Sequence, residues 1–295
     1  MKQLLILSGK GGTGKTTVAS AFIRLSEAKA YADCDVDAPN LHLILGQAIS
    51  PTHHDYYGMP KAEICSERCT ECGQCEQACR FDAISFDDGY KVDPFSCEGC
   101  GVCEAICPAD AIVLTPAVAG DLMLYAKDDT MFSTAQLKMG SGTSGKLVTE
   151  VKTQLRSSVP EETTLAIIDG SPGIGCPVIA SLSGVDLVLI VAEPSLSGIS
   201  DMTRILQTAK QFQVTAAVCI NKYDTNLANS ETIESICQAE GIPFVGKIPF
   251  DPDAVTAINR GLTIVDLPCP SGAAATDVFR RTMQFLFHER DETHT

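Results

Sequence analysis

The chain has 295 residues, 45% of them apolar and 20% charged, with no long low-complexity tract; this describes a compact globule able to bury its own core and excludes a largely disordered chain. Its formal charge of −15 works against binding a phosphate backbone, which needs clustered Lys and Arg, so no nucleic-acid partner is expected. No apolar run approaches the roughly 18 residues of a membrane span, Met1–Leu7 reads as a strand rather than a cleavable leader, and a cytoplasmic location is expected, where fourteen cysteines argue for metal rather than disulfides.

The apolar run Leu4–Leu7 leads into Ser-Gly-Lys-Gly-Gly-Thr-Gly-Lys-Thr-Thr from Ser8 to Thr17, which fits G-x-x-x-x-G-K-[ST] from Gly9 to Thr16. Strand, glycine loop and helix therefore come in the order a phosphate-binding loop requires. Gly11, Gly12 and Gly14, with Thr13, let successive N–H groups face a phosphate with no Cβ in the way, and the following helix adds its positive end. Lys15 is placed to reach the β- and γ-phosphates, Thr16 to hold Mg²⁺, and Thr17 to close the nucleotide-binding run. A glycine-rich turn without a ligand is the competing reading, and the strand context counts against it.

Directly after the first glycine stands a second lysine, Lys10, which the general motif does not require. In this the loop resembles the deviant Walker A ATPases of the MinD, ParA, Mrp and nitrogenase iron protein kind. The resemblance implies ATP hydrolysis by a dimer, with Lys10 reaching across to the partner's nucleotide. A lysine that merely solvates the loop is the alternative.

Thr17–Lys29 has Val18, Phe22 and Leu25 spaced for one apolar helix face. A short strand then ends in Asp33-Cys34-Asp35-Val36-Asp37. From the residues alone this is equally a solvated acidic turn capping a helix. The family resemblance makes it the first switch, with Asp33 near Mg²⁺ and Asp35 orienting the attacking water, and it leaves Asp37 unassigned.

From Lys61 to about Leu114 the composition changes. Cys69, Cys72, Cys75 and Cys79 form C-x2-C-x2-C-x3-C, and Cys97, Cys100, Cys103 and Cys107 repeat it 28 residues later. This is the two-cluster bacterial ferredoxin pattern, in which the fourth cysteine of each run serves the other cluster. One 4Fe-4S cluster is expected on Cys69, Cys72, Cys75 and Cys107, and a second on Cys97, Cys100, Cys103 and Cys79. Zinc also takes paired cysteines, but two identical four-cysteine runs fit it poorly. Ile84–Phe86 and Tyr90–Val92, separated by Asp87-Asp88-Gly89, read as a hairpin with a D-G turn. Arg80 stands where the repeat has Pro108, and Cys65 is left over once eight ligand places are filled.

Gly140–Lys146 lacks the spacing of a second phosphate loop and reads as the cap of a helix over Lys146–Arg156. Leu165–Asp169 is a buried parallel strand ending in a carboxylate, the place of a Mg²⁺-side acid in a doubly wound sheet. Gly173 follows as the glycine of a second switch. Val185–Ala192 and Val214–Ile220 read as further buried strands. By resemblance to the family, Asn221 occupies the adenine-reading position and Pro249 the loop that closes the base pocket. Ala273–His288 reads as a helix. Cys176, seven residues after Asp169, stands at the offset where the nitrogenase iron protein carries a cluster ligand; the resemblance implies a thiolate that meets its symmetry mate, with Cys34 the nearest candidate for a second ligand. A small residue packed behind the switch is the competing reading.

The expected fold is α/β, a mostly parallel sheet with helices on both faces over residues 1–60 and 115–295, and a small α+β ferredoxin-like domain inserted at 61–114. The resemblance is to MinD/Mrp-type ATPases with a two-cluster ferredoxin insert. It implies ATP, Mg²⁺ and two 4Fe-4S clusters, a homodimer or a heterodimer with a related ATPase, and a redox or metallocofactor-assembly partner. A nucleotide-gated electron donor is the first reading. An Mrp-type cluster carrier is weakened because Cys219, Cys237 and Cys269 stand alone, and a MinD/ParA-type positioning switch because residues 198–295 hold more Asp and Glu than Lys and Arg.

Overall fold

The structure, a computed structural model, describes residues 1–45 and 49–288. The chain begins with β1 (Lys2–Leu7), α1 (Lys15–Ser26), β2 (Ala30–Asp33), α2 (Leu41–Ile44) and β3 (Thr52–Tyr57). The cysteine-rich segment carries β4 (Lys61–Ile64), α3 (Gln74–Ala78), β5 (Ile84–Phe86), β6 (Tyr90–Val92), α4 (Val102–Ala105) and β7 (Ile112–Thr115). Then follow β8 (Val118–Lys127), β9 (Thr130–Leu137), α5 (Ser144–Ser158), β10 (Leu165–Asp169), α6 (Cys176–Leu182), β11 (Leu187–Ala192) and α7 (Leu196–Gln211). The chain closes with β12 (Thr215–Asn221), α8 (Leu227–Ala239), β13 (Phe244–Ile248), α9 (Pro252–Asn259) and α10 (Pro270–His288).

A nine-stranded sheet in the order β13-β12-β11-β1-β10-β2-β9-β8-β3 runs through the molecule. It is parallel from β13 to β9; β8 pairs antiparallel with both β9 and β3. Leu4 to Leu7 are all fully buried because side chains alternate between two covered faces. Leu5 and Leu7 join one core with Leu147, Val151 and Leu155 of α5, Leu182 of α6 and Ile205 of α7. Leu4 and Ile6 join the other with Val18 and Phe22 of α1 and Val278 of α10. The α/β fold with a mostly parallel sheet and helices on both faces is thus as expected from sequence.

Three boundaries differ. The first helix ends at Ser26, short of Lys29, because Glu27 turns left-handed at φ 49° and the Ala28 N–H folds back to the Ile23 carbonyl at 3.2 Å. The helix after the 140–146 loop starts earlier, at Ser144, and the last helix starts at Pro270, where proline's fixed φ suits a first turn. Residues 118–137 form a long hairpin that composition did not signal: β8 is mostly half-buried, with no clean alternation, and β3 reads Thr-His-His-Asp-Tyr-Tyr with only Tyr56 buried.

The cysteine-rich segment leaves and rejoins the sheet through β4 and β7, which pair antiparallel from Lys61↔Thr115 to Ile64↔Ile112. It has its own small core of Ala62, Cys75, Ala83, Ile84, Cys97 and Ile112. The 28-residue repeat is written into the backbone. Left-handed residues recur at Glu71 and Gly99, at Gly73 and Gly101, and at Asp82 and Asp110. The Cys65 N–H binds the Ala111 carbonyl at 2.8 Å, and its counterpart, Asp93 N–H, binds Ala83 at 2.7 Å. The β5–β6 hairpin turns through positive φ at Asp88 and Gly89, as a D-G turn requires. Among the described residues no helix is long and apolar enough to cross a membrane.

Candidate functional site

The phosphate loop springs from the carboxyl end of β1, between β10 and β11, where the strand order of the sheet runs in both directions. Gly12 and Gly14 hold φ of 80° and 91°. A Cβ on Gly11 or Gly12 would point into open space, whereas one on Gly14 would overlap the Asn221 amide and one on Gly9 would overlap Asp201 of α7. The loop is thus clamped beneath and free above. Above it lies a cavity of about 700 Å³ lined by Lys10 to Thr17 from the loop, Asp35, Asp37 and Asn40 from the segment after β2, Ser171, Pro172 and Pro177 from the segment after β10, and Ile258 of α9.

Parallel register sets Asp33 directly beside Asp169 at the strand ends. Lys15 Nζ donates to Asp169 Oδ1 at 2.6 Å, with both groups buried. Burial by itself would lower the Lys15 pKa; Asp169, assisted by Asp33 and Asp35, outweighs it and holds the ammonium above its ordinary value. Asp33 accepts the N–H groups of Asp35, Asn40 and Leu41 at 2.9–3.0 Å, yet burial, then repulsion from Asp169, lifts its pKa to about 7. Asp169 Oδ2 is buried with no hydrogen-bond partner. An orphaned carboxylate oxygen beside a buried lysine and an open amide cradle fits a Mg²⁺-nucleotide, whose phosphates and ion would occupy those valences.

Other expected residues have different neighbours. Lys10 Nζ lies 2.7 Å from Glu193 Oε2 and within 3.4 Å of the hydroxyls of Ser195 and Ser197, all on its own chain. Lys222 Nζ donates to the Gly12 carbonyl at 2.8 Å. Asn221, expected at the adenine, lies under the loop, donating from Nδ2 to the Thr13 carbonyl at 2.6 Å. Pro249 is not among the cavity-lining residues; Ile258, from the following helix, is. The Gly173 N–H is held by the Ser8 carbonyl at 3.0 Å. Cys34 is fully buried, which pushes its thiol up to about 12, and so it is not a surface partner for Cys176. Cys176 opens α6 with its side chain exposed, which counts against the competing reading of a small packed residue. Sequence reading missed Glu193 and Lys222; the acid just past a buried strand end on the phosphate-loop side of the sheet was the available signal for Glu193.

In the cysteine-rich segment Cys69, Cys72, Cys75 and Cys107 line one small pocket with Tyr90 and Ile112. Three cysteines of the first run and the last of the second thus line one pocket. The Cys107 sulfur accepts the Ala111 N–H at 3.3 Å. Burial raises the Cys75 and Cys103 thiols, which occupy matching places in the two runs. Among the described residues no three thiol, imidazole or carboxylate groups form a cage for one ion. A four-iron cluster spreads its ligands over four metals, so it fits a looser cysteine set than a single zinc does.

Sheet, phosphate loop and paired strand-end carboxylates define a P-loop ATPase. The chain belongs to the family described as the CobQ/CobB/MinD/ParA nucleotide binding domain, whose model matches residues 4–264. It is 31% identical over 293 residues to an uncharacterized protein of Methanocaldococcus jannaschii, covering 96% of this chain and 97% of that one. It is 25% identical to an iron-sulfur cluster carrier protein of Pyrococcus horikoshii, covering 89% of this chain and 79% of that one. In fold it is similar to the cell division ATPase MinD of Pyrococcus furiosus, at a TM-score of 0.58 and 17% identity over 96% of this chain and 99% of that one. This is an ATPase of the MinD/ParA type.

Proposed function

We propose that the protein is a cytoplasmic, ATP-driven dimeric switch that gates electron transfer through two 4Fe-4S clusters, held by residues 61–114, to a protein acceptor in redox metabolism or metallocofactor assembly. The observation that carries this reading is the pocket in which Cys69, Cys72 and Cys75 meet Cys107. Four cysteines drawn from two runs in the crossed order are the ligand set of a two-cluster ferredoxin. By the repeat, Cys97, Cys100, Cys103 and Cys79 hold the second cluster. Bound clusters supply one-electron carriers; Mg²⁺ supplies charge neutralisation at the phosphates.

The chain's own residues do the rest. The amides of Gly11 to Thr17 and the Lys15 ammonium hold the phosphates, while Thr16, Asp33 and Asp169 supply oxygens to Mg²⁺. Asp35 orients the attacking water from the cavity wall. In the ATP state Lys10 leaves Glu193 for the partner subunit's nucleotide, and Gly173 leaves Ser8 for the γ-phosphate. Cys176, exposed at the head of α6, is placed in this reading at the dimer face as a bridging thiolate. Asn221 and Pro249 read the base only after the loop contacts of Asn221 rearrange.

Iron-sulfur cluster carriage is the second reading, favoured by similarity to the Pyrococcus carrier protein. It needs a labile surface site, and Cys219, Cys237 and Cys269 are buried. Anaerobic purification with iron counting and EPR of the reduced protein, without nucleotide, with ATP and with ADP, tests the proposal. It expects about eight irons per chain and a spectrum that moves with nucleotide. Zinc in place of iron, or spectra indifferent to nucleotide, would overturn it.

A further inference from the structure

The surface around the second cysteine run is apolar where its ligand loop meets solvent. Phe95 is 72% exposed, Met139 93% and Met59 46%. They come from three places in the chain: Phe95 lies two residues before Cys97, Met59 between β3 and β4, and Met139 in the loop after β9. They converge on the same turn. A Cβ on Gly140 would lie 3.4 Å from the Phe95 ring, and one on Gly99 would lie 3.3 Å from Met59 Cβ. Between these contacts the turn presents Cys100, which is exposed. An exposed apolar residue on its own means little; three gathered around an exposed candidate cluster ligand mark a contact face.

The rim is acidic. Asp93, Glu98 and Glu104 are exposed along the same run, with Lys138 the base in the flanking loop, and residues 61–114 carry 11 Asp and Glu against 4 Lys and Arg. Beside Met139 a groove of about 640 Å³ runs between Glu98 and Asp37. Asp37 also lines the nucleotide cavity, so the face adjoins the part of the ATPase that nucleotide touches.

We infer that Met59, Phe95 and Met139 form the docking face for the electron acceptor, a one-electron redox protein whose centre lies under an apolar spot ringed by Lys and Arg. The inference rests on the cluster reading proposed above. One electron leaves the reduced second cluster and enters the acceptor; no proton or leaving group moves. Opposite charge on the two rims steers the encounter, and a face this small makes a transient complex suited to turnover. Because Met139 belongs to the ATPase half, the face is assembled from both halves of the chain.

Ferric cytochrome c, a basic one-electron protein with an apolar haem edge, is the probe. The full-length, cluster-loaded protein is reduced, freed of excess reductant and mixed anaerobically with it in stopped flow. The wild-type second-order rate constant should fall steeply with salt. Phe95→Ser with Met139→Ser should lower it about tenfold or more at low salt, with iron content and EPR spectrum unchanged. Phe86→Ser, which removes another exposed apolar side chain, 53% exposed on the β5–β6 hairpin, should leave it unchanged. Equal rates in wild type and double variant, or an equal loss in Phe86→Ser, would overturn the docking face while the clusters stand. A wild-type protein with no reducible cluster overturns the function beneath it as well, and the iron count separates the two failures.

Discussion

Lys10 Nζ and Glu193 Oε2 form an ion pair at 2.7 Å within one chain, so the second lysine of the phosphate loop is held at home. The pair is half-exposed, at 38% and 24%, and pairs of that kind contribute about 0.2–1 kcal/mol. Glu193→Gln should therefore free Lys10 for a partner subunit at little cost to folding. We expect the ATP-dependent dimerisation constant to rise by up to about 5-fold, read by sedimentation at low salt, and the gain to shrink as salt screens the pair. Lys10→Ala should abolish ATP-dependent dimerisation; normal dimers from that variant would remove the cross-subunit role.

Asp35 lines the nucleotide cavity without touching Lys15, so binding and hydrolysis should separate there. Asp35→Ala should bind ATP, accumulate as the ATP-bound dimer and hydrolyse at least about 100-fold more slowly, because the water loses its orienting group. Lys15→Ala should lose nucleotide affinity as well. Wild-type turnover by Asp35→Ala would move the water-positioning role elsewhere.

Asp33 makes folding pH-dependent. Its folded pKa of about 7 lies above the ordinary 3.8, so the folded state holds the proton more tightly than the unfolded chain does. The associated stability is complete below the ordinary value and is lost as pH rises through about 7, when the buried carboxylate must ionise beside Asp169. In nucleotide-free, Mg²⁺-free protein, wild type should lose thermal stability relative to Asp33→Asn between pH 5 and pH 8. A difference that is flat or grows the other way would mean that the three N–H bonds to Asp33 already hold it ionised.

Features that depend on local chemistry were legible in the sequence. The glycine loop, the apolar strands β1, β10, β11 and β12, and the 28-residue cysteine repeat each require particular residues at particular spacings, and the structure has those elements near the expected places. Features set by tertiary neighbours were not. The β8–β9 hairpin is stabilised by β2 and α5, so its half-buried residues carry no period. Glu193 is remote from Lys10 in sequence and meets it only because β11 lies beside β1. The adenine-reading place of Asn221 came from the family resemblance; that its amide braces the loop beneath a left-handed Gly14 in this state is a tertiary contact no local pattern signals.

Lys152 ties α5 to the end of α6. Its Nζ donates to the carbonyls of Ser181 and Ser183 at 2.6 Å and of Ala180 at 3.3 Å, the carbonyls that a helix end leaves without partners. Lys152→Met keeps most of the aliphatic stem and removes the donor. Orphaned carbonyls cost about 1–3 kcal/mol, which at this chain length lowers the unfolding midpoint by about 2–4 °C per kcal/mol. Calorimetry that finds no change would mean that water caps this helix end equally well.

Cys176 presents a sharper alternative than the sequence did. Its thiol is exposed, its Cβ packs close to Gly145, where a methyl group would come within 3.2 Å, and the next residue, Pro177, lines the nucleotide cavity. With Cys34 buried, a dimer closing over its nucleotides brings one such thiol from each subunit, half the four ligands that an iron-sulfur cluster needs. A bridging metal would therefore have to complete its shell from other groups. If the bridge forms, the ATP-bound protein carries metal beyond the roughly eight irons of the insert, and Cys176→Ser loses that excess while keeping the rest. Mild oxidation should separately link the ATP-bound dimer through Cys176 and fail to do so in the variant. An unchanged metal count together with efficient cross-linking would place the thiol at the dimer face with no metal role, and failure of both would remove it from that face.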